Sequence, residues 1–320
     1  MFRRPPMPRG SSASGMGGTL RPLLRRGIRA AMHPLVAKAP AKINLTLRVT
    51  GRRPDGYHDL VSLVAFAGAA DLVSLDPGAP LGLDVAGPTA VDAGPDAENL
   101  VLKAASAFAR EVVGARLGAF RLVKRLPVAA GLGGGSSDAA AALRLLAGLN
   151  GVAADDPRLF AAARATGADV TVCLDPRARI MRGVGHDLSA PLDLPLLPAV
   201  LVNCRVAVPT ADVFRTLGLR AGEVLPGPEH PATLPREAGA LRAALAALPN
   251  DLEPPARVVA QRIQDVMEHL ASLPEALLVR MSGSGATVFA LTQSCRSAVA
   301  LARRVTAAHP DWWVRSTVLR

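Results

Sequence analysis

Aromatic side chains make up only 3% of the 320 residues, with a single tyrosine, which leaves little for a base-stacking platform on nucleic acid. Cysteine is just as scarce. Cys173, Cys204 and Cys295 are widely spaced, with no CxxC pair and no Cys/His group at zinc spacing, so buried free thiols of a reducing cytoplasm are expected. The six histidines form no HExxH, so a transition metal held by the protein is not expected. No uncharged apolar run approaches the roughly 18 residues that cross a bilayer, so no membrane partner is expected. Charged residues are 20% of the chain and hydrophobic ones 50%, which excludes a disordered polyelectrolyte and leaves a soluble globular protein.

Acid is missing from the start of the chain. No Asp or Glu precedes Asp55, whereas Arg3, Arg4, Arg9, Arg21, Arg25, Arg26 and Arg29 crowd the first 31 residues. The net charge is +11, but without these seven arginines the body carries only +4. A nucleic-acid partner is not expected, because the tail carries most of the excess; the mildly basic body suits an anionic substrate as well as it suits a polymer. Residues 1–31 lack the apolar core of a secretory signal. They are expected to be a disordered Arg-rich extension, or to precede a start at Met32, although their composition also resembles a transit peptide. The length fits one large or two medium domains. A proline cluster at 190–198 marks the expected junction, giving domains at 32–190 and 191–320.

Alternation of Ile43, Leu45, Leu47 and Val49 with polar residues predicts a half-buried strand. Further strands are expected at 60–66, 71–75, 120–123, 199–203, 277–281 and 287–291, with helices at 98–113 and 256–270. Ala139, Ala142, Leu143 and Leu146 share one face of another helix, which Asn150-Gly151 ends.

Between the 120–123 strand and that helix runs Gly131-Leu132-Gly133-Gly134-Gly135-Ser136-Ser137. Glycines admit positive φ and close approach of a ligand, and the free amides of a helix start attract anions, so the loop reads as a phosphate cradle. It is neither GxxxxGK[ST] nor GxGxxG. Ser136 and Ser137 are free to cap the helix, touch phosphate or help hold Mg²⁺. Ser282-Gly283-Ser284-Gly285-Ala286 is a second glycine turn, as suited to a tight hairpin as to a ligand. Asp169 is either a helix cap or turn residue, or a carboxylate that accepts a proton from a substrate hydroxyl. Lys42 and Asn44 share the polar face of the first strand, where a lysine is usually solvated but can also lie beside a phosphate. Tyr57 and His58 read as a surface turn, or as a ring face and a hydrogen bond for a nucleobase.

These segments, in this order, resemble the galacto-, homoserine, mevalonate and phosphomevalonate (GHMP) kinase superfamily. The loop is Pro127-Val128-Ala129-Ala130-Gly131-Leu132-Gly133-Gly134-Gly135-Ser136-Ser137. Ala39–Leu45, Arg53–His58, Gly167–Val170 and Asn250–Glu253 are similar to one branch, which phosphorylates the 2-hydroxyl of 4-diphosphocytidyl-2-C-methyl-D-erythritol in the non-mevalonate isoprenoid precursor pathway. The resemblance implies an α+β, two-domain fold: an N-terminal mixed α/β nucleotide-binding domain and a C-terminal ferredoxin-like domain. It implies ATP and Mg²⁺ as cofactors, with Pro127 to Ser137 on the ATP phosphates and no residue assigned to the metal. Lys42 and Asp169 become a catalytic pair. Asn44 contacts substrate, and Tyr57 and His58 face the cytosine with Phe214 stacked on its other side. His186 stands where the family often has Glu, and carries no implied role.

Overall fold

The computed structural model describes residues 34–95, 98–231 and 233–320, together with Met1. The rest of the expected N-terminal extension lies outside the described residues. Strands β1 (Leu35–Asn44), β2 (Arg48–Arg52), β3 (His58–Asp76) and β4 (Gly82–Ala86) lead into helix α1 (Leu100–Glu111) and strand β5 (Ala119–Val123). Helices α2 (Gly134–Asn150), α3 (Pro157–Thr166) and α4 (Val170–Cys173) follow, then strands β6 (Arg179–Gly183), β7 (Asp187–Leu188) and β8 (Leu197–Asn203). The chain continues through α5 (Thr210–Leu217), α6 (Ala238–Ala246), α7 (Glu253–Val259) and α8 (Arg262–Ala271). It ends with β9 (Leu278–Met281), β10 (Thr287–Leu291), α9 (Cys295–Ala308) and β11 (Trp313–Leu319).

The described residues from 34 to 320 form one compact unit built on a continuous sheet. β3 is its spine, pairing antiparallel with β1, β2, β5 and β6, and reaching β11 through Ala67 and Leu319. β4 adds to β5 in parallel. The C-terminal strands run in the order β11-β8-β10-β9, all antiparallel. With α8 against β9 and β10, and α9 against β8 and β11, this is the expected ferredoxin-like arrangement.

α2 is covered on nearly every side, packing on α1, α4, β1 and β3. Ala139 to Ala142 are all buried, and their small side chains let the helix lie close on the sheet without strain. Gly151 closes it with φ +64°, as Asn150-Gly151 suggested.

Four expectations change. The half-buried strand expected through Ile43 and Val49 is broken between β1 and β2, and its polar residues Asn44 and Thr46 are buried, the Thr46 hydroxyl accepting from the Leu63 amide (2.9 Å). Cys173 and Cys204 are buried free thiols as expected, but Cys295 is exposed at the start of α9. The strands expected at 60–66 and 71–75 are one strand, and Gly68 between them does not turn the chain. It lies where a β-carbon would meet the Thr317 hydroxyl at 3.3 Å, marking a close approach to β11. The helix expected at 256–270 is two, α7 and α8, broken where Ala260 becomes extended. Pro254 and Pro255 fit the first turn of α7, where their missing N–H groups cost nothing.

Candidate active site

The glycine loop leaves β5 and enters α2 at Gly133, whose φ of +59° only glycine adopts readily. Three contacts fix it from behind. The Lys42 amide donates to the Leu132 carbonyl (2.8 Å), the Thr287 amide to Ala130 (3.1 Å) and the Ser282 hydroxyl to Gly131 (2.9 Å). A β-carbon on Gly131 would lie 2.3 Å from the Ser282 carbonyl oxygen, so the second glycine turn itself requires glycine there. No side chain caps α2, so its first amides are left for an anion. The two serines diverge. Ser137 is buried and donates to the Pro40 carbonyl (2.8 Å), which removes it from phosphate or metal, whereas Ser136 lines the cleft.

The second turn is therefore a clamp. The Ser282 hydroxyl also accepts from the Asn44 amide (3.1 Å). The Asn250 side chain donates to the carbonyls of Met281 (2.9 Å) and Gly283 (2.8 Å), and Glu253 accepts from the Met281 amide (3.1 Å).

In front of the loop opens a cleft of about 370 Å³ with Lys42, Asn44, Ser136 and Asp169 in its walls. The Lys42 ammonium donates to Asp169 Oδ2 at 2.8 Å. Lys42 is only 4% exposed, so it is not the solvated lysine its position on a polar strand face also allowed. The Asp169 side chain is 35% exposed and caps no helix amide, although it begins α4. Gly185 packs against it, since a β-carbon there would come 3.7 Å from Asp169 Oδ1. Asn44 is oriented by its amide donating to Ser62 Oγ (2.7 Å). Burial pushes the nearby Cys173 thiol up to about 12, leaving it neutral.

A larger groove of about 980 Å³ adjoins the cleft, with Ser136 and Asp169 in both. Tyr57, His58 and Phe214 line it, and Tyr57 is 64% exposed. The rings of His58 and Phe214 stack directly on each other, 4.3 Å between centroids and 23° between planes. A base between them needs about 7 Å, two contacts of about 3.5 Å each, so the expected sandwich is not formed in this arrangement. His58 Nε2 is buried without a partner, and burial, then Arg52, lowers its pKa.

On the other side of the loop, Pro127, Val128 and Ala129 border a hollow of about 150 Å³ with Asn99, Lys124 and Asp138. Lys124 donates to Asp71 (2.5 Å) and Asp138 (2.8 Å), and Asp71 Oδ1 accepts the amides of Arg125 (2.5 Å) and Leu126 (2.8 Å). Burial pushes Asp138 up to about 7 against the pull of Lys124, and its Oδ1 has no partner. Burial opposes the Lys124 charge, but Asp138 and Asp71 outweigh it and raise that pKa. His186 is exposed. Among the described residues, no group of three or more His, Cys, Asp or Glu could hold a metal, and no helix is long and apolar enough to cross a membrane.

Residues 99–175 match the GHMP kinases N terminal domain, and residues 233–311 match the GHMP kinases C terminal domain. The chain is 71% identical over 293 residues to the 4-diphosphocytidyl-2-C-methyl-D-erythritol kinase of Xanthobacter autotrophicus, covering 90% of this chain and all of that protein. The chain belongs to the 4-diphosphocytidyl-2-C-methyl-D-erythritol kinase family of GHMP kinases. The family member of Azorhizobium caulinodans is 68% identical over 289 residues, again 90% of this chain and all of that protein. A crystal structure of 4-(cytidine 5'-diphospho)-2C-methyl-D-erythritol kinase is 36% identical, with a TM-score of 0.70 over 89% of this chain and 99% of that one.

Sequence reasoning about this kinase missed three parts of the site. Ser282 passed as part of a turn, and Asn250 and Glu253 entered only through the resemblance. The Asp71–Lys124–Asp138 triad was not foreseen, because its members lie 53 and 14 positions apart and none belongs to a recognisable motif.

Proposed function

We propose that the enzyme transfers the γ-phosphoryl of ATP to the 2-hydroxyl of 4-diphosphocytidyl-2-C-methyl-D-erythritol. The observation that carries this reading is the Lys42–Asp169 pair, 2.8 Å apart in the cleft before the glycine loop, with Asp169 also lining the groove of Tyr57, His58 and Phe214. Phosphoryl transfer asks for alignment and charge stabilisation more than for covalent chemistry. In this reading the amides at the start of α2 hold the phosphates, and the segment 127–129 borders the rest of the nucleotide.

Asp169 orients the substrate hydroxyl and accepts its proton. Lys42 keeps that carboxylate ionised and offsets charge on the reacting oxygens. Asn44 contacts the acceptor, while Tyr57 and His58 take the cytosine, which requires Phe214 to part from His58 or the base to lie on the open side of the pair. Ser136 and Asp169 offer side-chain oxygens to the cleft, as do Thr210 and Ser284, whose hydroxyls are hydrogen-bonded to each other (2.8 Å). Mg²⁺ would come with the nucleotide and neutralise phosphate charge, with the Ser136 hydroxyl on the cleft wall able to contact it. The halves 32–190 and 191–320 act as the two domains. The enzyme works in the cytoplasm on a small molecule, with no nucleic-acid or membrane partner.

The test is a coupled ADP-release assay with the diphosphocytidyl alcohol beside mevalonate and homoserine. Turnover is expected with the first alone, and free cytidine nucleotides should compete with it rather than with ATP. Comparable turnover on mevalonate or homoserine would refute the substrate assignment.

A further inference from the structure

A pocket of about 250 Å³ that shares no lining residue with the cleft opens where β1, β3 and β11 meet. Lys38 of β1, Arg125 just after β5 and Arg315 of β11 all line it. All three are exposed, and none makes an ion pair among the described residues. The one acid in the lining, Asp71, is spent. One of its oxygens takes the Lys124 ammonium and the other takes two backbone amides. Three cations thus surround one hollow with no anionic side chain left to offset them, so their mutual repulsion favours an anion from solution.

The surroundings are rigid. The Trp313 indole donates to the Arg125 carbonyl (3.0 Å), the Arg125 amide is fixed by Asp71, and the Arg315 guanidinium lies 5.5 Å from the centre of the Trp313 ring. Arg315 spends one N–H on the Val314 carbonyl, which leaves its remaining donors for a ligand. The volume falls below the ~300–1,000 Å³ of pockets that hold drug-sized ligands, which suits a compact anion. Two arginines and a lysine match the charge and the many acceptor oxygens of a diphosphate.

We propose that Lys38, Arg125 and Arg315 form a binding site for a small diphosphate, separate from the catalytic cleft. The free anion and a short-chain organic diphosphate share this chemistry.

The experiment is calorimetric titration of the full chain, first saturated with Mg²⁺ and a non-hydrolysable ATP analogue so that the cleft is filled. One arm uses inorganic pyrophosphate and the other an alkyl diphosphate. Binding in both arms with equal affinity supports a site for the free anion, and tighter binding of the alkyl compound supports one for the ester. Lys38→Ala/Arg315→Ala should weaken binding at least tenfold, while Lys38→Arg/Arg315→Lys retains it. Both variants should keep wild-type turnover when no diphosphate is added. No binding once the analogue is in place, or equal binding by the alanine variant, would overturn the site. Because the readout is binding, it stands or falls apart from the substrate assignment.

Discussion

Asp169→Asn isolates the proposed proton acceptor from the shape of the site. The side chains are nearly isosteric, and the asparagine carbonyl can still accept from the Lys42 ammonium now at 2.8 Å. What disappears is the basic oxygen. Loss of a positioned general base typically costs about 10²–10⁴-fold in rate, or about 2.7–5.5 kcal/mol of transition-state stabilisation. Turnover should therefore fall by at least about a hundredfold, while the KM for ATP stays close to wild type, because the phosphates are proposed to rest on the loop amides. A hydrogen bond to a charged group contributes about 1.5–3 kcal/mol to stability. With the Asp169 side chain 35% exposed, solvent screening places the variant's loss at or below the lower end. That amounts to a few degrees at most in the melting temperature, so the protein remains folded during the assay. The measurements are steady-state ADP release with both substrates varied and a thermal melt of the same preparation. A folded variant with turnover within about fivefold of wild type would remove Asp169 from the role of base.

Tyr57→Ala should raise the KM for the diphosphocytidyl alcohol far more than that for ATP; equal changes in both would place the base elsewhere. Gly131→Ala forces a β-carbon to 2.3 Å from the Ser282 carbonyl oxygen at a φ of +72°, so nucleotide affinity measured by calorimetry should drop sharply, and an unchanged affinity would refute the clamp. Asp138 bears on pH. Its carboxyl is raised from 3.8 to about 7, so between those values the native state holds more protons than the unfolded chain, and this group's contribution to stability falls as pH rises through that window. Asp138→Asn removes the contribution. The melting temperature of the variant relative to wild type should therefore move in the variant's favour from about pH 5 to about pH 8, and a flat difference would show that Asp138 does not titrate there.

Motifs that combine glycine with a helix start were legible in the sequence, since their chemistry is local. The loop at 131–137 depends on backbone freedom and free amides, both written into four glycines and the alanine-rich helix behind them. The Lys42–Asp169 pair was legible as two candidates. Only the fold brings residues 127 positions apart to one hydrogen bond, and a sequence cannot show that a lysine on a polar strand face lies beneath a loop from elsewhere. β3 was read as two strands because glycine usually punctuates, whereas Gly68 serves a close approach of backbones. The direct contact of His58 with Phe214 was beyond sequence reasoning, because it depends on how α5 is presented to β3.

The unbroken β3 acts as a ruler for the molecule it serves. It begins at His58 in the groove, carries Ser62, which aims Asn44, and reaches Asp71, which anchors the chain entering the nucleotide loop. In the proposed reading the span from base to reacting alcohol is set before either ligand arrives, and a pre-set span is what lets two reactants meet without a search. An acceptor with a shorter or longer link between its base and its alcohol would engage one end of this strand and miss the other. Accommodation is left to the far wall, where Phe214 rides on α5 and that helix ends at Gly218 with φ +78°.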